Sequence, residues 1–225
     1  RMVPHSAMRK SIASHMVQSV TTAPHVTSVF QANLAAVLAH REANRAAFEG
    51  RGAKLTFTAY FVRATVAALQ EVPEVNSRWH DHALELFEDA HIGIGTALDT
   101  GGLIVPVVRS AQTLDLFQTA ERLQDLTARA RASKLAPNEV QGGTFTISNH
   151  GVSGSLVATP IIINQPQSAI LGIGKLEKRA MVGAADRVVV QPMVYVTLTI
   201  DHRVLDGFQA NAFLTKWVET IERWA

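Results

Sequence analysis

The sequence predicts a single α/β domain in which helices flank a mixed β-sheet. Helical and strand periodicities both recur along the 225 residues, without the regular alternation that is typical of a doubly wound fold. Apolar residues make up 47% of the chain, which is enough for a packed core. No internal repeat and no linker rich in Pro, Gly or Ser divides the sequence, so one domain is favoured over two.

The N-terminal segment predicts a capped helix followed by a strand. Ser6 is the expected N-cap of a helix over residues 6–20, in which four apolar residues share one face: Met8, Ile12, Met16 and Val20. Residues 21–24 contain Pro24 and end this helix. The following His25–Asn33 segment is rich in β-branched residues and alternates as a strand does.

Two further helices and a set of short strands are predicted next. Residues 34–49 and 56–72 have helical periodicity, and Pro73 ends the second helix. The buried stripe of that second helix is expected to comprise Phe57, Phe61, Ala64, Val66 and Leu69. From residue 76 to 108 the pattern changes to short strands. A turn at HDHA separates two of them, and DTGGLIVPVV (Asp99–Val108) predicts a tight turn that leads into a buried strand.

The second half of the chain predicts a helix, several strands and a final helix. Residues 114–131 form a helix with charges on one side, and a single short turn is expected at 138–140. The predicted strands that follow span residues 144–148, 168–176 and 187–200. An amphipathic helix is expected from about Gly207 to Trp224.

Composition argues against several classes of partner and chemistry. Twenty-one Lys and Arg against 19 Asp and Glu give a net charge of +2, and no basic stripe with interleaved aromatic residues is present, so no nucleic-acid partner is expected. No run of about 18 uncharged apolar residues occurs, so no membrane-spanning helix is expected. The absence of Cys excludes disulfides and thiolate metal sites within these residues.

The segment DHRVLDG (residues 201–207) is the first candidate site. An apolar strand leads directly to His202, and a turn then opens a helix, which is a common and rigid setting for a reactive side chain. Histidine is well suited to accept a proton near neutral pH. The alternative is a structural histidine beside a surface ion pair. A metal site at His202 and Asp206 is disfavoured, because the pair straddles a turn and lacks a third ligand.

The segment GGTFTISNHGVSG (residues 142–154) is the second candidate. Ser148 ends a strand, and a glycine-containing loop follows, so that its hydroxyl is able to donate a hydrogen bond to an oxyanion. The serine is not part of a GxSxG nucleophile elbow. The alternative interpretation of Ser148 is a turn-capping residue. His150 is interpreted as a polar loop residue rather than as a catalytic group.

Several motifs, in the same order, resemble the dihydrolipoamide acyltransferases, which are the core subunits of 2-oxoacid dehydrogenase complexes. DHRVLDG is similar to their HxxxDG signature, and GGTFTISNHGVSGSLVATPIIINQPQSAILGIG is similar to their serine or threonine segment. MRKSIASHM, PEVNS and DTGGLIVPVVR also resemble family segments. The resemblance therefore covers nearly the whole chain.

This resemblance implies a chloramphenicol-acetyltransferase-like fold and transfer of an acyl group between dihydrolipoamide and coenzyme A. By the same resemblance His202 is the general base, Ser148 hydrogen-bonds the oxyanion, and Asp206 supports the histidine loop. The succinyl-transferring members look most similar, through residues 151–162 and 190–203. Alternatives are an acetyl- or branched-chain-transferring member, a stand-alone enzyme resembling chloramphenicol acetyltransferase, or a scaffold without activity.

The resemblance also implies how the protein is assembled. The expected unit is a homotrimer packed into a cubic or dodecahedral core, with histidine and hydroxyl supplied by different chains. The expected partners are a lipoyl domain, a 2-oxoacid decarboxylase and dihydrolipoamide dehydrogenase. Because the 225 residues contain neither a lipoylation segment nor a Pro/Ala-rich linker, residues 1–225 are expected to be the catalytic domain of a longer polypeptide, with the lipoyl and subunit-binding domains outside them. Bacterial cytoplasm or mitochondrial matrix is the expected compartment.

Three departures from the family pattern concern substrate contacts rather than the reaction. His15 stands where the family often has Arg, and Ile200 stands where an aromatic residue often precedes DHR. The segment at 161–168 is one residue longer than usual. These differences concern the coenzyme A contacts near the first helix and the shape of the acyl pocket.

Overall fold

The computed structural model describes residues 1–98 and 102–225. The α-helices of the described residues are α1 (Ala7–Thr22), α2 (Ala35–Gly50), α3 (Phe57–Glu71), α4 (Leu116–Arg131) and α5 (Gly207–Glu222). The strands are β1 (His25–Asn33), β2 (Ser77–His80), β3 (Ala83–Leu86), β4 (Ile92–Ile94), β5 (Thr96–Ala97), β6 (Leu103–Ile104), β7 (Val107–Val108), β8 (Phe145–Asn149), β9 (Ala169–Ile173), β10 (Glu177–Val182) and β11 (Val188–Asp201). The tight turn predicted at the start of Asp99–Val108 lies outside the described residues.

A mixed sheet organises the domain, as the sequence predicts. Its strands follow the order β1-β11-β9-β8-β4-β7, and β10 also pairs with β11. The central pairs β4–β8 and β8–β9 are parallel, whereas β1, β9 and β10 run antiparallel to β11. Two small antiparallel sheets, β2–β3 and β5–β6, lie outside it. The single-domain α/β prediction is confirmed.

One face of the sheet forms the hydrophobic core with the helices. Alternate residues of β11 point into this core, and they are Val194, Val196, Leu198 and Ile200. Helices α3 and α5 pack together above them, and the fully buried Trp217 donates its indole N–H to Thr65 Oγ1 at 3.2 Å. The long helix stripe predicted within residues 56–72 is thereby buried, apart from the half-buried Phe57.

The opposite face of the sheet is polar where β11 crosses it. Thr197, Thr199 and Asp201 lie on this face and are almost completely buried. A covering segment, defined as residues 155–167, lies over them, and Thr199 Oγ1 accepts a hydrogen bond from the Ile161 N–H at 3.2 Å. Thr199 also shares a hydrogen bond of 2.9 Å with Thr27 on β1. This polar face positions both candidate segments.

The N-terminal helix begins at its predicted cap but does not bury its predicted face. The Ser6 side chain accepts a hydrogen bond from the Arg9 N–H at 3.1 Å. Met8 and Val20 are 60% and 56% exposed, and within the described helix α1 the fully buried residue is Ser19. The prediction of a helix is therefore confirmed, while the shared apolar face stays partly exposed within one chain.

Strand β10 is the main element that the sequence analysis missed. Its sequence, EKRAMV, begins with three charged residues, which are poor strand formers. The strand pairs with the outer half of β11, where its residues alternate between half-buried and exposed. Pairing with β11, rather than local propensity, therefore explains why it forms.

Candidate active site

His202 lies just beyond the last residue of β11, as predicted. Its backbone N–H donates to the Pro24 carbonyl oxygen at 2.9 Å, and the side chain is exposed. The preceding Asp201 is 2% exposed, and its own N–H donates to the Ser168 carbonyl oxygen at 2.8 Å. The backbone that carries His202 is therefore fixed on both sides by the sheet, while the imidazole remains open to solvent or a substrate.

A buried ion pair stabilises the turn around His202. Arg203 Nη2 donates to Asp201 Oδ2 at 2.6 Å, and the Arg203 backbone N–H donates to Asp201 Oδ1 at 3.0 Å. The Arg203 guanidinium also lies 5.4 Å from the centroid of the Trp79 ring. Hydrogen bonding to Asp201 is the main reason that the pKa of Arg203 is raised. The alternative interpretation of His202 placed an unspecified ion pair at the surface; the pair that the structure shows has a half-buried Arg203 and a buried Asp201 carboxylate.

Asp206 is the N-cap of α5. Its carboxylate accepts a hydrogen bond from the Phe208 N–H at 2.7 Å, and its own N–H donates to Gln209 Oε1 at 3.0 Å, which completes a capping box. These contacts fix the point at which the loop from His202 joins the helix. The hydrogen bonds of Asp206 described above are made to residues of α5 and not to the His202 ring.

Ser148 lies on β8, which spans Phe145–Asn149, and its side chain is half-buried. It pairs with Gly172 on β9, and Gly172 pairs in turn with Thr197 on β11. Position 172 requires glycine, because a Cβ atom on Gly172 would lie 2.4 Å from Thr197 Oγ1 and 2.4 Å from Ile161 Cδ1. Ser148 is therefore held on a rigid strand, which provides the preorganisation that an oxyanion donor requires.

His150 is more buried than the sequence analysis assumed. Among the described residues neither ring nitrogen has a hydrogen-bond partner, and both nitrogens are inaccessible to solvent. Its Nε2 atom lies 3.4 Å from the position that a Cβ atom on Gly172 would occupy. Burial lowers the pKa of His150, because it disfavours the charged imidazolium. The nearby Ser155 backbone has a smaller, opposite effect on this pKa, although it does not form a hydrogen bond of normal geometry with the ring.

A cavity of about 450 Å³ lies beside the Ser148 strand. Gly95 and Asn149 line it, and a Cβ atom on Gly95 would lie 3.8 Å from the Cα atom of Ser148. Two cations also line this cavity, Lys54 from the loop before α3 and Arg131 from the end of α4. The cavity therefore combines positive charge with direct access to the strand that carries the candidate hydroxyl.

The structure does not bring the two candidate groups together within one chain. Ser148 is level with Gly172 on β9, whereas Asp201, the residue before His202, is bonded to Ser168. Four residues of an extended strand correspond to about 13 Å. Two strand spacings separate β8 from β11 in addition. His202 and Ser148 of the same chain are therefore too far apart to act on one substrate atom.

Across residues 1–98 and 102–225, no group of three His, Asp or Glu side chains is arranged to hold a metal ion. Within those same ranges, none of the helices combines the length and the apolar character needed to cross a membrane.

Comparison with known proteins identifies relatives over nearly the whole chain. This chain is 40% identical over 220 residues to the succinyltransferase component of the 2-oxoglutarate dehydrogenase complex of Rickettsia bellii. The match covers 96% of this chain and 54% of the relative. It is 38% identical over 207 residues to the acetyltransferase component of the pyruvate dehydrogenase complex of Bacillus subtilis, covering 92% and 46%. The chain thus spans about half the length of these curated relatives.

Solved structures agree with this relationship. Two of them are each 30% identical, with a TM-score of 0.93 and coverage of 99% of this chain and 91% of theirs. One is Azotobacter vinelandii dihydrolipoamide acetyltransferase, studied for the role of a serine, a histidine and an asparagine in its catalytic mechanism; the other is the cubic core of the pyruvate dehydrogenase multienzyme complex.

A more distant structure concerns the fold alone. Chloramphenicol acetyltransferase has a TM-score of 0.58 at 14% identity, over 98% of this chain and 99% of that one. This confirms the predicted chloramphenicol-acetyltransferase-like fold. The family model for the 2-oxoacid dehydrogenases acyltransferase (catalytic domain) matches residues 1–225. The chain therefore belongs to the 2-oxoacid dehydrogenase acyltransferase family, as a catalytic domain.

Proposed function

We propose that this domain transfers an acyl group between dihydrolipoamide and coenzyme A, and that its active site forms between neighbouring copies of the chain. The observation that carries the proposal is the placement of His202 and Ser148 at different ends of one rigid sheet. Each is well positioned for its role, but the two are separated within a chain. A site that takes His202 from one copy and Ser148 from another reconciles these facts.

In this proposal His202 is the general base. A free thiol has a pKa of about 8.5 and is mostly protonated at neutral pH, so a neutral imidazole that removes its proton increases its nucleophilicity. The resulting thiolate attacks the thioester carbonyl, which forms a carbon–sulfur bond and leaves an oxyanion on a tetrahedral carbon. When this intermediate collapses, the original carbon–sulfur bond breaks, and the protonated His202 returns the proton to the departing sulfur.

Ser148 is the donor for the oxyanion in the same scheme. A preorganised donor stabilises charge that develops in the transition state, and loss of one such donor typically raises the barrier by about 3–4 kcal/mol. Sequence spacing in a relative supports the assignment of the histidine loop. In the Azotobacter enzyme the histidine and the asparagine named for the mechanism lie four positions apart, which is the spacing of His202 and Asp206.

The cavity beside Ser148 supports coenzyme A as one substrate. Coenzyme A carries several phosphate groups, and Lys54 and Arg131 supply positive charge at this cavity. Gly95 and Asn149, which also line the cavity, place it next to the strand that carries Ser148. Dihydrolipoamide is the second substrate, and the lipoyl domain that carries it is not among these 225 residues.

We place the domain in a trimer that packs into a larger core of a 2-oxoacid dehydrogenase complex. A heterologous contact between copies closes into a ring, which gives three equivalent sites. The cubic core among the similar structures supports the larger assembly. The decarboxylase and dihydrolipoamide dehydrogenase components would then be its partners, and residues 1–225 would be the catalytic part of a longer chain.

The acyl group is proposed to be succinyl. A succinyltransferase component and an acetyltransferase component are each 40% identical to this chain, so overall identity does not separate the two. The choice of succinyl is supported by motif similarity in residues 151–162 and 190–203. Acetyl transfer is the second candidate, because relatives of that type match almost as well.

An assay of acyl-coenzyme A formation, followed by chromatography, tests the function and the acyl donor together; a count of free thiols would not report turnover, because acyl transfer from one thiol to another leaves that count unchanged. The assembled protein is given coenzyme A and succinyl-, acetyl- or isobutyryl-dihydrolipoamide, and turnover is compared between the native chain and the His202→Ala variant. The expected result is fastest turnover with the succinyl donor and a loss of several orders of magnitude in the variant. A matched control, His82→Ala on the exposed β2–β3 hairpin, should retain activity. An active His202→Ala variant would exclude the general-base role.

A further inference from the structure

His25 and His202 lie at one corner of the sheet, where β1 begins and β11 ends. The corner is defined as residues 23–25 and 201–202. His25 is the first residue of β1, and it lies opposite Asp201 in the antiparallel register. The backbone N–H of His202 donates to the carbonyl oxygen of Pro24, the residue immediately before His25. The backbone position of His202 therefore depends directly on the conformation of residues 23–25.

The two hydrogen bonds of the His25 ring fix its tautomer. Nδ1 lies 2.7 Å from the Ala23 carbonyl oxygen, and Nε2 lies 3.0 Å from the Ile163 backbone nitrogen. A carbonyl oxygen only accepts and a backbone N–H only donates, so Nδ1 must carry a proton and Nε2 must present its lone pair. His25 is therefore held as a neutral imidazole in one orientation.

This ring closes a circuit of hydrogen bonds around the corner. The Ser19 hydroxyl, buried in the last turns of α1, donates to the Ile163 carbonyl oxygen at 2.7 Å. The Ala23 N–H donates to the Ser19 carbonyl oxygen at 3.0 Å. Helix α1, the corner and the covering segment are thus joined through His25. A buried network of this kind, fully paired, holds its members rigidly.

We infer that His25 is a positioning residue for His202, in that its Nδ1–H bond to Ala23 shapes the corner whose Pro24 carbonyl oxygen holds the His202 backbone. The inference rests on the proposed function, because it takes His202 to be the general base. The two ring bonds have separable effects. The Nδ1 bond governs the corner and hence turnover, whereas the Nε2 bond attaches the covering segment and hence governs stability.

Three substitutions at position 25 separate these effects. His25→Asn retains an amide donor near Nδ1 and loses the bond to Ile163. His25→Gln retains an oxygen that reaches the Ile163 N–H and loses the donor to Ala23. His25→Ala loses both. A matched control, Thr27→Val, removes the hydrogen bond of 2.9 Å between Thr27 and Thr199 on the same pair of strands but leaves the corner intact.

The measurements are kcat, KM for both substrates and the thermal midpoint Tm of each assembled variant. We expect kcat to fall about tenfold in His25→Ala and His25→Gln with KM unchanged, because small errors in the placement of a catalytic group have large effects on rate. His25→Asn should recover kcat to within about threefold while its Tm stays low, by the same placement argument. Thr27→Val should retain kcat.

Other outcomes would overturn the inference. Equal kcat in His25→Asn and His25→Gln, or a change confined to KM, would show that the Nδ1 bond does not position His202. Native kcat in His25→Ala would do the same. A His202→Ala protein measured in parallel separates the two claims: if it is active, the proposed function fails, and if it is inactive while His25→Ala is native, the inference about His25 alone fails.

Discussion

Ser148 and His202 occupy opposite ends of the same sheet, Ser148 on β8 and His202 directly after the last residue of β11. Ser148 is level with Gly172 of β9, while the residue before His202 is bonded to Ser168. The strand backbone is rigid, so side-chain rotation does not close a separation of about 13 Å along the strands. The domain therefore presents half of the proposed site at each end, and pairing with another copy is the simplest way to complete it.

Removal of the Ser148 hydroxyl should affect the transition state more than substrate binding. For Ser148→Ala we expect kcat to fall by roughly a hundredfold to a thousandfold, with KM for coenzyme A nearly constant. Steady-state kinetics on the assembled protein provide the measurement. Ser28→Ala is a matched control, because Ser28 also lies on a strand but its hydroxyl donates to Asn211 on α5. Normal kcat with a raised KM would assign Ser148 to substrate recognition.

The Asp206 side chain should be replaceable by asparagine. Asparagine is an equally good N-cap, so Asp206→Asn should retain the capping box of α5, the stability and the turnover. Asp206→Ala should destabilise the domain by about 1 kcal/mol and lower turnover, because the loop from His202 loses its fixed end. Denaturant unfolding and turnover are measured for both variants. Loss of turnover in Asp206→Asn at native stability would show that the negative charge is required.

The ion pair between Asp201 and Arg203 should be essential to stability. In Arg203→Leu the Asp201 carboxylate, which is 2% exposed, is left without its charged partner, and we expect a loss of roughly 3 kcal/mol. The double variant Asp201→Asn/Arg203→Leu should recover part of this loss, because it removes the unpaired charge. Urea unfolding of both proteins measures the difference. No recovery in the double variant would show that Arg203 acts through packing on Trp79 instead.

Acid should remove the contribution of the Glu139 carboxylate, which pairs with Arg129 on α4. Hydrogen bonding to Arg129 lowers the pKa of Glu139 from 4.5 to about 2, so the pair stabilises the folded state above about pH 4.5 and this contribution is lost as the pH falls toward 2. Glu139→Gln should therefore lower Tm at neutral pH, and its difference from the native protein should shrink in acid.

A double variant provides the control for this pH dependence. When Arg129 is already replaced by Gln, the further substitution Glu139→Gln should have a smaller effect on Tm at neutral pH, because the carboxylate has lost its main partner. A Tm difference between the native chain and Glu139→Gln that stays constant from neutral to acidic pH would contradict the pairing.

Most elements could be predicted because their local signals agree with their packing. Strand His25–Asn33 has the predicted bounds, and α4 begins two residues later than expected because Asp115 provides its capping box. Strand β10 was missed because its first residues are charged, and it forms by pairing as a hairpin with the outer half of β11, which begins at Val188. Local propensity carries no information about such a partner.

The candidate site was only partly accessible from sequence. Spacing and resemblance identified His202, Asp206 and Ser148, and the structure places each at a strand end or a helix cap. The burial of the His150 ring nitrogens, which have no hydrogen-bond partner among the described residues, could not be predicted from sequence, because it depends on how the loop packs over Gly172. The role of His25 also escaped notice, since its partner Ile163 lies 138 residues away.

A subunit-mixing experiment tests the shared site most directly. His202→Ala and Ser148→Ala chains, each inactive alone, are dissociated, mixed in equal amounts and reassembled. If a site combines His202 of one copy with Ser148 of the next, random assembly should restore about a quarter of the native activity, because one interface in four then contains both intact residues. A mixture that assembles fully and stays inactive would contradict the account.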